Sequence, residues 1–392
     1  MAIRTLDHLD VGGKRVLLRV DFNVPMEGEV IVDDSRIGQT LPTFQSLLDR
    51  GAAIVVATHL GRPDGHVVEE LRVKPLAKRL GELLGREVRV ARGVVGPDVE
   101  AETRRLRAGQ VLMLENVRFD PREEANDGAF ARALAGLADC YVNDAFGTAH
   151  RAHASTEGVA HLLPGAAGLL MAKEVELLGR VLNDPEPPLV AIVGGAKVST
   201  KIGVMENMLP RVRHLLVGGA MASTLLKATG VDVGASKVED DQLGTARRLI
   251  EEAGEKLVMP SDAVVADSFD ASAERREVDV DDIPRGWMML DIGPRTVEAF
   301  AAIVASAGTI VWNGPLGVYE MEPFRAGTEA VARAVAASKA VSIVGGGDLA
   351  AAVSTLGLQD HITHVSTGGG ATLEFLEGKD LPGIRALEEV AV

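Results

Sequence analysis

The stretch RVLLRVDFN at 15–23 reads as a short apolar strand running into a polar turn, and VSIVGGGDLA at 341–350 repeats the device far along the chain. Open α/β sheets carry their ligand loops where a strand ends and the chain turns, and Asp21-Phe22-Asn23 and Gly345-Gly346-Gly347-Asp348 both fall there. Outward from these two points, apolar β-branched runs predict strands at Arg15–Val20, Ala53–Thr58, Val111–Leu114 and Cys140–Val142 in the first half. The second half offers Leu189–Val193, His214–Val217, Thr309–Trp312, Ala340–Val344 and His361–Val365. Helical stretches such as Pro75–Leu84 and Gly128–Leu137 lie between them, and continuous apolar strands interleaved with helices predict parallel sheets covered on both faces.

A chain of 392 residues is too long for one ordinary core and suits two domains. Met171, Val175, Leu178 and Leu182 mark an amphipathic helix over 169–182, and the prolines of NDPEPP at 183–188 forbid its continuation. That helix is the expected connector between a first domain, 1–170, and a second, 171–375. Hydrophobic residues make up 46% and charged residues 25%, which excludes a disordered chain. Net charge is −15, divided as 21 basic against 24 acidic residues in 1–170 and 20 against 32 in 171–392. Neither half is basic, so no nucleic-acid partner is expected, although a local arginine cluster can still bind a small anion. Cys140 is the only cysteine, which excludes an internal disulfide and fits a reducing compartment. MAIRTLDHLD lacks an apolar leader and no uncharged apolar run approaches the ~20 residues that span a bilayer, so a cytoplasmic protein without a membrane partner is expected.

Five strands of the second half lead into special turns: GGAKVSTK (194–201), GGAMAST (218–224), WNGPLGVYE (312–320), GGGDLA (345–350) and STGGGAT (366–372). Glycine lets backbone approach a phosphate, and the following helix supplies free N–H groups and the positive end of its dipole. Tight strand-to-helix packing also uses glycine, but several such turns on one sheet favour a nucleotide site. Neither G-x-x-x-x-G-K-[ST] nor G-x-G-x-x-G with a ribose-binding acid is present. Lys197 and Lys201 stand four residues apart at an expected helix start, where like charges repel unless an anion lies between them; two solvated lysines are the plain alternative. Asp348 suits magnesium held jointly with nucleotide phosphates, with a helix N-cap as the competing role.

The first half holds the cations: Arg19 beside Asp21 and Asn23, Arg36, His59-Leu60-Gly61-Arg62, Arg118, and His150-Arg151-Ala152-His153. All but Arg36 fall at or just after an expected strand end, and the planar arginine fork grips carboxylate and phosphate bidentately. His150 and His153 lack a third ligand at zinc spacing, and no G-x-S-x-G elbow is present.

KRVLLRVDFNVP (14–25), THLGRP (58–63), LENVRF (114–119), NDAFGTAHRAHAS (143–155), GGAKVSTKI (194–202), WNGPLGVYE (312–320), GGGD (345–348) and HVSTGGGATLEFLEG (364–378) together resemble the phosphoglycerate kinase family. The resemblance runs nearly end to end. It implies two Rossmann-like domains, an α/β fold with each parallel sheet covered by helices, joined by an interdomain helix and hinge. It also implies that a C-terminal tail, 376–392, packs back on the first domain. The activity implied is reversible phosphoryl transfer between 1,3-bisphosphoglycerate and Mg-ADP, giving 3-phosphoglycerate and Mg-ATP, after domain closure, in a monomeric cytoplasmic enzyme.

Carried over by position, Asp21, Phe22, Asn23, Arg36, His59, Leu60, Gly61, Arg62, Arg118 and Arg151 would bind the glycerate substrate. Gly194, Lys197, Lys201, Gly218, Gly219, Gly293, Asn313, Pro315, Val318, Glu320, Gly346, Gly347, Asp348 and Leu349 would form the nucleotide site, with Glu320 on the ribose and Asp348 on Mg²⁺. Arg36, Lys197, Lys201, Gly346, Gly369 and Gly370 would act on the group in flight. The family usually places Ser or Thr after GGGD, whereas this chain has Leu349, so a hydroxyl is expected to be missing from a phosphate contact and Leu349→Thr to tighten Mg-ADP binding. Two rivals remain beside this reading. A nicotinamide-dependent dehydrogenase would share the architecture but lacks its fingerprint here, and an inactive nucleotide-binding scaffold would keep the glycine loops and lose the arginine set.

Overall fold

The computed structural model describes residues 3–388; residues 1–2 of the expected first domain and 389–392 of the expected tail lie outside them. Two compact units emerge: one holds the chain up to Glu176 together with the segment from Asp380, the other Leu177–Lys379. The sequence reading puts the divisions at 170/171 and 375/376, whereas the contacts divide the chain inside the helix Leu169–Asn183 and at Lys379/Asp380. The apolar stripe of that helix, Met171, Val175 and Leu178, is buried without interruption across the boundary, so its pattern carries no mark of the change of unit. Within the first unit, Gly383 N–H donates to Ala149 C=O (2.8 Å), and Ile384 and Leu387 are buried.

The first unit contains β1 (Arg15–Arg19), a hairpin of β2 (Met26–Glu27) and β3 (Val30–Ile31), β4 (Ala53–Ala57), β5 (Val88–Val90), β6 (Val111–Met113), β7 (Cys140–Asn143) and β8 (Gly165–Ala167). Apart from the hairpin these form one parallel sheet, ordered β5-β6-β4-β1-β7-β8. Its inner strands are largely apolar, with polar residues at their ends, because helices such as Ser35–Asp49 and Lys74–Leu84 pack on them; Val16, Leu18, Ile54, Phe44, Leu47 and Leu80 share one core.

The second unit contains β9 (Leu189–Val193), β10 (His214–Val217), β11 (Leu257–Val258), β12 (Asp262–Ala266), β13 (Arg275–Asp279), β14 (Met288–Ile292), β15 (Thr309–Asn313), β16 (Val341–Gly345) and β17 (His364–Val365). A second parallel sheet runs β11-β10-β9-β15-β16-β17, and β13-β12-β14 makes a separate antiparallel sheet. The expected strand at His361–Val365 shrinks to β17, because Gln359–His361 winds into a 3₁₀ turn. Sequence reasoning misses the β2–β3 hairpin, β5, β8 and β11, which are two or three residues long, and the whole antiparallel sheet, although β12 and β14 are largely apolar. The exposed Arg-Arg-Glu-Val-Asp of β13 offers no apolar run to find.

Strand order decides where ligands can bind. From β1 the chain moves outward through β4, then crosses to β7 on the other side; from β9 it moves to β10 and later crosses to β15. The carboxyl ends of these strands are the reversal points of the two sheets, where a crevice opens.

Candidate active site

At the reversal point of the first sheet, side chains interlock. Arg19 at the end of β1 is 1% exposed, yet its charge is met: Nε donates to Ser155 Oγ (2.7 Å) and Nη1 to the Val20 carbonyl, while Nη2 lies 3.4 Å from His59 Nδ1. Ser155 Oγ in turn donates to Glu123 Oε1 (2.6 Å), and Ser155 N–H donates to Glu123 Oε2 (2.9 Å). Glu123 is itself buried, which raises its carboxyl above the ordinary range against the pull of Arg19. A buried arginine is thus balanced through a serine by a buried acid, so the array sits on a fixed base.

Asp21 receives Arg36 as an ion pair and has His59 Nδ1 at 3.7 Å. Asn23 Oδ1 accepts from Gly61 N–H (2.9 Å), which ties the DFN turn to the HLGR turn. Arg118 donates to the Gly61 carbonyl (3.0 Å) and pairs with Glu124 (3.1 Å), while Arg151 Nε donates to His150 Nε2 (3.3 Å). Burial first, then Arg19, Arg118, Arg36 and Arg151 in that order, hold His59 well below the usual imidazole range. The same crowding with burial brings His153 down to about 4. Both rings are therefore neutral at pH 7 and act as dipoles among cations. Arg62 is exposed and takes no hydrogen bond or ion pair from any described residue.

Two expected members contribute only backbone. Phe22 is wholly buried and stacks on Phe44 (6.4 Å between centroids), and Leu60 joins the same core.

At the reversal point of the second sheet, main chain predominates. Gly194 N–H donates to the Asn313 carbonyl (2.9 Å), and a Cβ at Gly194 would overlap the Gly314 and Pro315 carbonyls. Gly218 and Gly219 are likewise pressed against Leu316 and Gly195, and Gly293 against the Asp262 carboxylate, so these four satisfy the packing reading of glycine. Gly346 (φ +101°) and Gly369 (φ +53°) differ: each caps a helix, Gly347–Thr355 and Gly370–Leu376, and a Cβ would meet nothing within 4 Å at Gly369 and only ordinary contacts with Gly314 and Asn313 (3.6–3.7 Å) at Gly346. Their N–H groups can be approached.

Lys197 and Lys201 share no helical face, contrary to the sequence expectation. The segment after β9 turns irregularly and the helix Ile202–Met208 begins only after Lys201, leaving Lys197 exposed in the loop. Lys201 Nζ donates to Asn313 Oδ1, and burial brings its ammonium down to about 8 despite Glu377 and Asp348 nearby. Since the lysine donates to Oδ1, it fixes which end of the Asn313 amide is the nitrogen, and that buried N–H₂ has no partner among the described residues.

Asp348 is exposed in the first turn of its helix, whose N-cap is Gly346, so it does not take the competing capping role. Leu349 overturns an expectation: its side chain is 0% exposed and packs in the core of the second unit with Trp312, Val344 and Val353. It lies on the sheet-facing side of the helix, so a hydroxyl there would enter the core, and only its backbone faces a ligand. Pro315 and Val318 are half-buried and Glu320 exposed on the loop after β15.

A profile of the phosphoglycerate kinase family matches residues 6–379. The phosphoglycerate kinase of Moorella thermoacetica is 57% identical over 392 residues, 99% of this chain and 100% of its own. The chain belongs to the phosphoglycerate kinase family. The corresponding protein of Thermomicrobium roseum is 55% identical over 99% of this chain and 100% of its own. Among solved structures, phosphoglycerate kinase from Coxiella burnetii superposes with a TM-score of 0.88 at 44% identity, covering 98% of this chain and 99% of that one. The enzyme from Pyrococcus horikoshii gives 0.88 at 35% identity over 98% of each.

Membership of the phosphoglycerate kinase family leaves Glu123, Ser155, Asn116 and Thr58 to be explained, none of which sequence reasoning singled out. Asn116 Nδ2 donates to the Leu60 and Leu71 carbonyls, and Thr58 Oγ1 accepts from Phe22 N–H (3.0 Å). Thr58, Asn116 and Ser155 lie inside the motifs THLGRP, LENVRF and NDAFGTAHRAHAS, and Glu123 lies outside all of them; polar residues inside buried segments were the available signal.

Proposed function

We propose that this chain transfers a phosphoryl group reversibly between the acyl phosphate of 1,3-bisphosphoglycerate and Mg-ADP, giving 3-phosphoglycerate and Mg-ATP. The observation that carries this reading is the pairing of two unlike anion sites at two sheet reversal points. One is a fixed array of Arg36, His59, Arg118 and Arg151; the other joins a buried lysine to open helix starts at Gly346 and Gly369.

In the ATP-consuming direction the nucleophile is the substrate carboxylate, ionised at pH 7 because such groups titrate near ~4. No protein base is required, and the two histidines, held well below the usual imidazole range, are weak proton acceptors. Asp21, Asn23, His59, Arg62, Arg118 and Arg151 orient 3-phosphoglycerate, and the Phe22, Leu60 and Gly61 backbone shapes the turn. Arg36 and Lys201 stabilise the charge spread over the moving phosphoryl oxygens, with the N–H groups around Gly346, Gly369 and Gly370. Lys197 and the free Asn313 amide bind nucleotide phosphates; Gly194, Gly218, Gly219, Gly293, Pro315 and Val318 shape the base pocket, and Glu320 takes the ribose hydroxyls.

Magnesium arrives with the nucleotide, and a hard, exposed carboxylate beside phosphate-binding backbone fits it, so Asp348 would hold it. When bound, the ion neutralises phosphate charge. We also propose a cytoplasmic monomer, whose mass sedimentation equilibrium would test. The deciding experiment is a steady-state assay with 3-phosphoglycerate and Mg-ATP, coupled to reduction of the bisphosphate product; no ATP-dependent signal with active coupling enzyme would sink the assignment.

A further inference from the structure

Asp291, at the end of β14, is 1% exposed and belongs to none of the groups assigned so far. Its Oδ2 accepts from Gly327 N–H (2.8 Å) in the first turn of the helix Ala326–Ala337, and its Oδ1 from Ile292 N–H (2.9 Å). A Cβ at Gly317 would overlap Asp291 Oδ1, so the loop after β15 lies directly on this carboxylate. The same loop is tied at Leu316 N–H to Thr328 Oγ1 (2.9 Å) and at Val318 N–H to the Leu290 carbonyl (2.8 Å). Three segments, the end of β14, the helix start and the loop carrying Pro315, Val318 and Glu320, thus meet at one acid.

We propose that Asp291 is a positioning residue for the nucleotide loop, whose ionised carboxylate seats that loop on the helix start and whose protonation weakens nucleoside binding without affecting the glycerate site. The inference rests on the assignment of loop 314–320 to the nucleotide. Each oxygen accepts one backbone N–H, and a proton on either removes the negative charge that strengthens both bonds. Burial, and then the negative charge of Glu329 after the opposing backbone hydrogen bonds, push the Asp291 carboxyl up to about 7. Glu329 is the charged group facing it from the helix and is itself within 3.6 Å of Arg325. From β12 the opposed residue is Val264, and Asp262 is engaged by Arg295 and Thr296. On the loop, Glu320 is exposed. The raised acid is charged above about 7 and neutral below it, so the seating that Asp291 provides is present above about 7 and lost on acidification.

The test compares wild type with Asp291→Asn, which keeps the shape but has one acceptor oxygen. At about pH 8.5 the variant should show a KM for Mg-ATP raised roughly tenfold, the loss of one buried hydrogen bond. At about pH 6 the wild-type value should approach that of the variant, and the KM for 3-phosphoglycerate should match in both throughout. A ratio independent of pH, or an equal rise in both KM values, overturns the inference. Should the variant not fold, calorimetry of adenosine binding to wild type, a probe with no phosphate to titrate, decides the matter: affinity should fall on acidification through about 7, and a flat profile refutes the role of Asp291. An absence of kinase activity at any pH would instead count against the proposed function, and the adenosine titration still reports on the loop.

Discussion

The two sheet ends offer an anion opposite kinds of contact. On the first unit, charge comes from side chains held by one another: Arg36 on Asp21, Arg118 on Gly61, and Arg19 on Ser155 and through it on Glu123. On the second, the contacts available are main-chain N–H groups at helix starts, the exposed Lys197, the half-buried Lys201 and one asparagine amide. Guanidinium arrays read the shape of a small, fixed anion, whereas backbone donors accept any phosphate that reaches them. A pre-satisfied network is also harder to alter locally, because removing one member strands its partner in a buried place.

The sharpest attack on this comparison removes one charge from each side. Arg36→Ala and Lys201→Ala should each lower kcat by ~10²–10³ while changing KM much less, since both are placed to act on charge that develops in transfer. If only KM rises, both serve binding alone and the contrast between the sites loses its catalytic meaning. Leu349→Thr comes next. Burying a hydroxyl and removing methyl volume in the core should cost about 1–3 kcal/mol in denaturant unfolding, with calorimetric Mg-ADP affinity unchanged. Tightening by about a decade would restore the sequence expectation and place the side chain at the nucleotide.

Breaking the base of the first array is gentler. Ser155→Ala removes the relay between Arg19 and Glu123, and should raise the KM for 3-phosphoglycerate by roughly tenfold at most, leaving that for Mg-ATP alone. An equal change in both would mean a general loosening of the fold. Smallest is a difference in pH dependence. Lys201, brought down to about 8, is charged below that value and neutral above it, so kcat/KM for nucleotide should decline above about 8 and the decline should vanish in Lys201→Arg. His59, held well below its usual range, stays neutral near pH 7, and kcat/KM for 3-phosphoglycerate should show no imidazole step there.

Alternating apolar strands and helices, the amphipathic stripe at 171–182 and the placement of arginine, lysine and glycine at strand ends were legible from the chain alone, because each is a local pattern with a physical period or a turn requirement. The family followed from the order of those turns. What local pattern could not supply was the direction in which a side chain points after the backbone closes. Leu349 and Phe22 stand in motif positions, yet both serve the core, since the helix turns Leu349 to the sheet and the turn after β1 lays Phe22 on Phe44. Lys197 and Lys201 separate because the chain after β9 bends before it winds, and four of the glycines answer to neighbouring backbone brought close by the crossovers. Glu123, Ser155 and Asp291 acquire their meaning only from partners far along the chain, and burial, which makes a lone acid costly and a paired one specific, is a property of the folded molecule.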